Sequence, residues 1–162
     1  MSEYEGRVHN PFVGHNDYHC FGCDPHHPAG LKLEFFKRGD RVEATWEPDP
    51  KLEGYPGVVH GGIQATLADE LGAWYAYAII GTAGVTKSLQ IEYKQTARLE
   101  DGPFLISAQG VEVTEKQAEV EVTLRNSSGA ELAVARVVYA LFSEAVARKR
   151  FFFPGKEAFF PA

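Results

Sequence analysis

One long apolar segment constrains the fold of this chain more than any other feature. The run between Gly61 and Gly81 carries large apolar residues at helical spacing, which predicts one long helix over residues 63–80. The large stripe comprises Ile63, Leu67, Leu71, Trp74 and Ala78, and a second stripe of small residues comprises Ala65, Ala68, Gly72 and Ala76. A helix that is apolar around most of its circumference must be buried on most sides.

Two carboxylates, Asp69 and Glu70, lie in the middle of this helix. A buried unpaired carboxylate is costly, so at least one of them should face a cleft or a subunit interface. The same two charges and Gln64 make a membrane span expensive, and we predict a soluble domain without a membrane partner. We interpret Asp69 as functional and Glu70, which points about 100° away around the helix, as a salt-bridge or interface residue.

The remaining patterns predict strands. Two runs, LKLEFF and RVEATW, precede the helix, and four follow it: VTKSLQIEYKQ, PFLISAQGVEVTEK, QAEVEVTLRN and ELAVARVVYALF. Their alternation and connecting turns indicate an antiparallel sheet, so the fold class is α+β, with the sheet curled around one long central helix. We divide the chain into an irregular N-terminal arm (residues 1–30), one folded domain (31–143) and a C-terminal tail (144–162).

The charge balance limits the partners of the chain. It has 22 acidic and 16 basic residues, and this excess of acid argues against nucleic acid as a partner. The first residues lack the apolar core of a signal peptide, and two cysteines are too few for a disulfide scaffold. We therefore expect a cytoplasmic protein.

The segment His60-Gly61-Gly62, at the start of the predicted helix, is the candidate for chemistry. Glycines there expose unpaired backbone N–H groups, and the helix dipole favours negative charge, including a developing oxyanion. Asp69, nine positions after His60, could act as nucleophile or activate a water. The spacing alone fits equally well a tight turn that caps a buried helix.

Three stretches carry a family resemblance. HGGIQATLAD resembles the His-Gly-Gly, six residues, then Asp signature of the PaaI-like hotdog-fold thioesterases. CFGCDPHHPAGLKLEF and GVTKSLQIEYKQTA are similar to the N-terminal entry of that family and to its first strand after the helix. The resemblance implies a hotdog fold and a homodimer or tetramer with sites at the subunit interface.

The resemblance also implies roles for four residues. Asp69 would act as base or nucleophile, and Gly62 would give its N–H to the thioester oxygen. His60 would help to hold the thioester group, and Thr86 would lie close to the carboxylate or its water.

Further residues are predicted to bind substrate. Gly61 and Ser88 lie near the implied catalytic residues in the sequence. Arg148 and Arg150 belong to a short basic run that suits the phosphates of coenzyme A. The aromatic segment that follows, FFFPGKEAFFP, should pack on the domain or on another subunit.

Cys20 and Cys23 form a C-x-x-C motif in the arm, which is a permitted spacing for zinc. Four histidines lie near it: His15, His19, His26 and His27. Since there is no second C-x-x-C and no H-x-x-x-H helix, we predict no metal and a packing role for the arm over the cleft or the partner.

The predicted function is hydrolysis of an acyl-CoA or aryl-CoA thioester to the free acid and coenzyme A, without a metal or redox cofactor. A non-catalytic acyl-CoA-binding module of the same fold is the alternative. A metal-binding or redox module centred on CFGC is a third hypothesis. A hotdog dehydratase is disfavoured, because that chemistry usually needs a differently spaced acid and histidine pair.

Overall fold

The computed structural model describes residues 4–162, which form an α+β fold as predicted. The strands are β1 (Gly6–Val8), β2 (Phe35–Arg38), β3 (Arg41–Trp46), β4 (Gly84–Tyr93), β5 (Phe104–Val113), β6 (Gln117–Arg125) and β7 (Glu131–Leu141). The helices are α1 (Gly61–Tyr75), which continues into a single π turn (Ala76–Ile80), and α2 (Glu144–Phe151). Single 3₁₀ turns lie at Pro50–Leu52, Leu99–Asp101 and Lys156–Phe159. Within the described residues, no helix is long and apolar enough to span a bilayer.

The seven strands form one antiparallel sheet in the order β1-β2-β3-β5-β6-β7-β4. Helix α1 contacts every strand from β3 to β7. A single helix can touch five strands only if the sheet curls around it, so the predicted curled sheet is confirmed. Strand β4 pairs with β7 on one side and forms one edge of the sheet.

The core lies between the concave face of the sheet and α1. Leu67, Leu71 and Trp74 of the predicted large stripe are fully buried, whereas Ile63 near the helix start is only partly so. Ala68 and Gly72 of the small stripe are buried as well. The small stripe therefore allows β7 to approach the helix, and a Cβ atom at Gly72 would overlap the ring of Tyr139.

The entry to the sheet differs from the prediction. The first strand that the sequence predicts, β2, begins at Phe35 rather than at Leu31, because Lys32 has a φ of 53°, in the left-handed region that strands exclude. Leu31 and Leu33 instead donate their N–H groups to the carbonyl oxygens of Phe21 and Gly22. The arm is thereby tied to the domain, and it also supplies the short strand β1, which the sequence did not predict.

The tail packs on the domain, as expected for its aromatic segment. Phe153 and Phe159 are buried and stack near Tyr77 at the end of the long helix. Phe12 of the arm joins the same cluster. The arm and the tail therefore meet on one side of α1.

Candidate active site

Asp69 is half-buried on α1, and its side chain faces the first residues of β4. The Thr86 hydroxyl donates a hydrogen bond to Asp69 Oδ1, with 2.7 Å between the oxygens. The structure therefore places Thr86 beside this carboxylate, as the resemblance implied. The second oxygen, Oδ2, accepts no hydrogen bond from residues 4–162 and is left for a water or a substrate atom.

Tyr139 of β7 is a second partner of Asp69. Its hydroxyl lies 2.6 Å from the backbone carbonyl oxygen of Asp69 and 3.1 Å from Oδ1. Burial first, and the charge of Asp69 second, raise the pKa of Tyr139 well above its usual value. The phenol is therefore a hydrogen-bond donor throughout the physiological pH range, and it holds the same carboxylate oxygen as Thr86.

The N-terminus of α1 is closed by His60, whose Nδ1 accepts the N–H of Gly62 at 2.9 Å. A neutral imidazole that accepts through Nδ1 carries its proton on Nε2. The exposed His60 ring can thus donate from Nε2, and the Gly61 N–H is given to no acceptor in the described chain. The Gly62 N–H, which the resemblance implied as the thioester contact, is engaged by His60 here.

Two further polar side chains lie beside this turn. The Tyr93 hydroxyl, at the end of β4, donates to the Gly61 carbonyl oxygen at 2.8 Å. Gln64 is buried, and its Nε2 donates to the Val59 carbonyl oxygen at 3.3 Å, while its Oε1 has no hydrogen-bond partner among residues 4–162. Since buried carbonyl oxygens are nearly always satisfied, the Gln64 oxygen is a ready acceptor for a water or a ligand N–H.

The carboxylate and the glycine turn occupy opposite ends of β4. Thr86, near the start of the strand, contacts Asp69, and Tyr93, at its end, contacts Gly61. Along α1, the seven-residue step from Gly62 to Asp69 corresponds to a rise of about 10 Å. One thioester group therefore cannot touch both ends of this arrangement within a single chain.

Comparison with known proteins gives a matching segment. Residues 56–133 match the sequence profile of the thioesterase superfamily. The segment includes His60, Asp69 and Thr86, and it ends before Tyr139. No curated protein matches the chain.

Solved structures share the fold. Zebrafish thioesterase superfamily member 2 has 25% identity over 73% of this chain and 90% of its own, with a TM-score of 0.64. A hypothetical thioesterase protein of Streptococcus pneumoniae TIGR4, solved with coenzyme A, has 24% identity over 69% and 90%, with a TM-score of 0.64. The E. coli PaaI protein from the phenylacetic acid degradation operon has 18% identity over 70% and 82%, with a TM-score of 0.61. The predicted hotdog fold and the resemblance are thus confirmed.

Ser88 lies in the thioesterase segment but not beside Asp69. The register between β4 and β7 shifts between Thr86 and Ser88, which leaves Lys87 as an extra residue. Thr86 is paired with the inward-facing Tyr139, whereas Ser88 is paired with Val138 on the outer face. Because paired residues share a face of the sheet, the bulge directs Thr86 to the carboxylate and Ser88 away from it.

Arg148 and Arg150 lie on α2, beyond the thioesterase segment. Arg148 is bound within the tail, where it donates to Glu144 Oε1 at 2.6 Å and to the Pro154 carbonyl oxygen at 2.9 Å. Arg150 is exposed and lines a cavity that also contacts Glu70. No hydrogen bond of the described chain joins either arginine to Asp69 or to the glycine turn.

Glu70 forms no ion pair with residues 4–162, so the predicted salt bridge is not found. Its carboxylate instead faces the CFGC loop, where Oε2 lies 3.7 Å from Cys20 Sγ. Burial first, and Cys20 second, raise the pKa of Glu70 to about 8. A hydrogen bond from the Cys23 thiol lowers the pKa of Cys20 to about 6 and, together with burial, raises that of Cys23.

Proposed function

We propose that this protein hydrolyses acyl-CoA or aryl-CoA thioesters to the free acid and coenzyme A. The observation that carries the proposal is the Asp69 carboxylate, which Thr86 and Tyr139 hold through one oxygen while the other accepts no hydrogen bond from the described residues. It lies in a segment of the thioesterase superfamily. The coenzyme A in the Streptococcus pneumoniae structure supports coenzyme A as the carrier of the acyl group.

The chemistry needs one carboxylate and a set of donors. Asp69 Oδ2 either removes a proton from a water that attacks the thioester carbon or attacks that carbon itself, giving an anhydride that water then cleaves. The carbon–sulfur bond breaks, and coenzyme A leaves as a thiolate that takes up a proton. The carbonyl oxygen becomes an oxyanion, for which His60 Nε2–H and the Gly61 N–H are the open donors.

These donors and the carboxylate come together when two copies of the chain pair through β4. Strand β4 is an exposed edge, and Thr86 and Tyr93 mark the Asp69 end and the glycine end of it. If two copies pair antiparallel about the Leu89–Gln90 peptide, near the middle of β4, Thr86 of one copy lies opposite Tyr93 of the other copy. Asp69 then faces the partner's glycine turn, and a homodimer, or a tetramer of such pairs, has sites at its interface.

The substrate-binding residues follow from this arrangement. We keep Gly61 as an N–H donor and assign Gly62 to the cap of α1, where its N–H orients His60. Arg150 is the better of the two arginines for the phosphates of coenzyme A, because the charge of Arg148 is already compensated by Glu144. Ser88 lies on the outer face of β4, where only a long ligand or a second subunit would meet it.

The test is release of coenzyme A thiol from purified protein with short-chain, long-chain and aromatic CoA thioesters. We expect turnover of at least one class, and loss of about 100-fold or more in kcat for Asp69→Asn with an unchanged circular dichroism spectrum. Asp40→Asn is the matched control, since Asp40 is exposed at the β2–β3 turn. If calorimetry shows that the thioesters bind but no thiol is released, the protein is a thioester-binding module and not an enzyme.

A further inference from the structure

The CFGC loop and α1 bring three metal-ligating groups together outside the proposed catalytic residues. The sulfur atoms of Cys20 and Cys23 and a carboxylate oxygen of Glu70 all lie within 4.8 Å of one another. Cys23 is buried, with 5% of its surface exposed. Three groups that are anionic when deprotonated thus lie close together. No basic residue of the described chain forms an ion pair with Glu70.

We propose that Cys20, Cys23 and Glu70 bind one zinc ion. Zinc–sulfur bonds of about 2.3 Å and zinc–oxygen bonds of about 2.1 Å at tetrahedral angles place sulfur and oxygen about 3.6 Å apart. The distance from Cys20 Sγ to Glu70 Oε2 is 3.7 Å. Two thiolates favour zinc over magnesium or calcium, which prefer oxygen ligands.

The CFGC loop is already shaped to present its sulfur atoms. The Cys23 N–H donates to Cys20 Sγ at 3.2 Å, and the Asp24 N–H donates to the Cys20 carbonyl oxygen at 3.0 Å. A hydrogen bond from a backbone N–H stabilises the thiolate that a metal requires. The loop therefore needs no refolding to bind the ion.

Gly22 sets the distance between the loop and the helix. A Cβ atom at this position would overlap the Glu70 side chain, so only glycine lets the loop lie directly against the carboxylate. Two backbone hydrogen bonds hold the loop there, from Leu31 to Phe21 at 2.8 Å and from Leu33 to Gly22 at 3.0 Å. The close approach of the two segments is thus specified by the sequence at Gly22.

The fourth ligand position faces a cavity. Cys20, Cys23 and Glu70 all line a cavity of about 340 Å³ between the arm, α1 and α2, which has room for a water or a small ligand atom. The Tyr18 hydroxyl lies 2.8 Å from Cys23 Sγ and would donate to that thiolate once it is bound to zinc. A bound ion would clamp the arm onto α1 at the residue after Asp69.

The direct test is cobalt binding by the full chain, purified without an affinity tag, reduced, and freed of metal by a chelator. We expect one equivalent of Co²⁺ to give a sulfur-to-metal charge-transfer band and the intense visible bands of a tetrahedral site, and Zn²⁺ to abolish both. Cys23→Ser should lose the charge-transfer intensity. In competition with a chromophoric chelator, Glu70→Gln should bind Zn²⁺ at least about ten-fold more weakly.

Two controls separate this proposal from the proposed function and from unfolding. Asp69→Asn should retain the cobalt spectrum, so the metal site can be tested whether or not the chain hydrolyses thioesters. In the wild-type chain, Zn²⁺ should protect both cysteines from alkylation, as read by mass spectrometry, which requires no substitution. The proposal is overturned if the reduced chain gives no charge-transfer band, if Glu70→Gln binds Zn²⁺ as tightly as wild type, or if the two cysteines form a disulfide under reducing conditions.

Discussion

Thr86 and Asp69 are joined by a hydrogen bond of 2.7 Å that links the edge strand β4 to the buried helix α1. Thr86 itself is exposed in the single chain, and it lies on the strand through which we propose that two copies pair. Any change in the position of β4 would therefore be transmitted directly to the carboxylate.

Removing the Thr86 hydroxyl should slow turnover without abolishing it. A hydrogen bond to a charged group is worth roughly 1.5–3 kcal/mol, so Thr86→Val should lower kcat about ten- to hundred-fold. Thr86→Ser keeps the hydroxyl and should stay within about three-fold of wild type. Steady-state kinetics on one CoA thioester distinguishes these outcomes. Equal kcat values for Thr86→Val and Thr86→Ser would show that the Thr86 hydroxyl has no role in catalysis.

Tyr139 should matter for stability as well as for turnover. Tyr139→Phe leaves the Asp69 carbonyl oxygen without its 2.6 Å partner, and we expect the free energy of unfolding to fall by about 1–3 kcal/mol. Tyr77→Phe is the matched control, since the Tyr77 hydroxyl has no hydrogen-bond partner among residues 4–162. Urea denaturation of both variants measures the difference, and similar losses for the two would contradict the assignment.

His60 combines a cap with a proposed donor, and two substitutions separate these roles. His60→Ala removes the acceptor for the Gly62 N–H and should cost about 0.5–2 kcal/mol of stability, whereas asparagine is a good N-cap and should retain it. Both variants lack the Nε2–H donor, so both should lower kcat by about 100-fold. Full activity in His60→Asn would show that capping is the whole role of this residue.

Gly22 should tolerate no side chain. Gly22→Ala places a methyl group where the Glu70 side chain lies, and the displacement should cost about 1–3 kcal/mol. Gly54→Ala is a suitable control, because its Cβ would meet the His60 ring at an ordinary 3.5 Å. In thermal or urea unfolding, Gly22→Ala should be less stable than Gly54→Ala. Equal stability of the two variants would mean that the loop can move away from the helix.

The sequence was most informative where periodicity is strong. The helical spacing of Leu67, Leu71 and Trp74 and the alternation of the late strands predicted the core helix and the antiparallel sheet. The contact between Thr86 and Asp69 was predicted only from the family resemblance, because no local sequence pattern relates residues that are 17 positions apart.

Other contacts were hidden from the sequence for physical reasons. In the sequence, Tyr139 is indistinguishable from the other inward-facing residues of an alternating strand. Only the packing of β7 against Gly72 brings its hydroxyl to Asp69. The sequence of the arm has no hydrophobic periodicity, so the contact between Cys20 and Glu70 could be found only from the tertiary structure. The bulge at Lys87 reverses the face of Ser88, and a sequence pattern of period two cannot show such a shift.

The proposed catalysis depends most on the Asp69 carboxylate of one copy acting with the glycine turn of the other. Asp69→Asn and His60→Ala chains, each nearly inactive alone, can be co-expressed with different tags and isolated as mixed pairs. One site of each mixed pair would carry both substitutions and the other neither, so CoA release should return to about half of the wild-type rate per pair. Mixed pairs that stay as inactive as their parents would contradict the shared site.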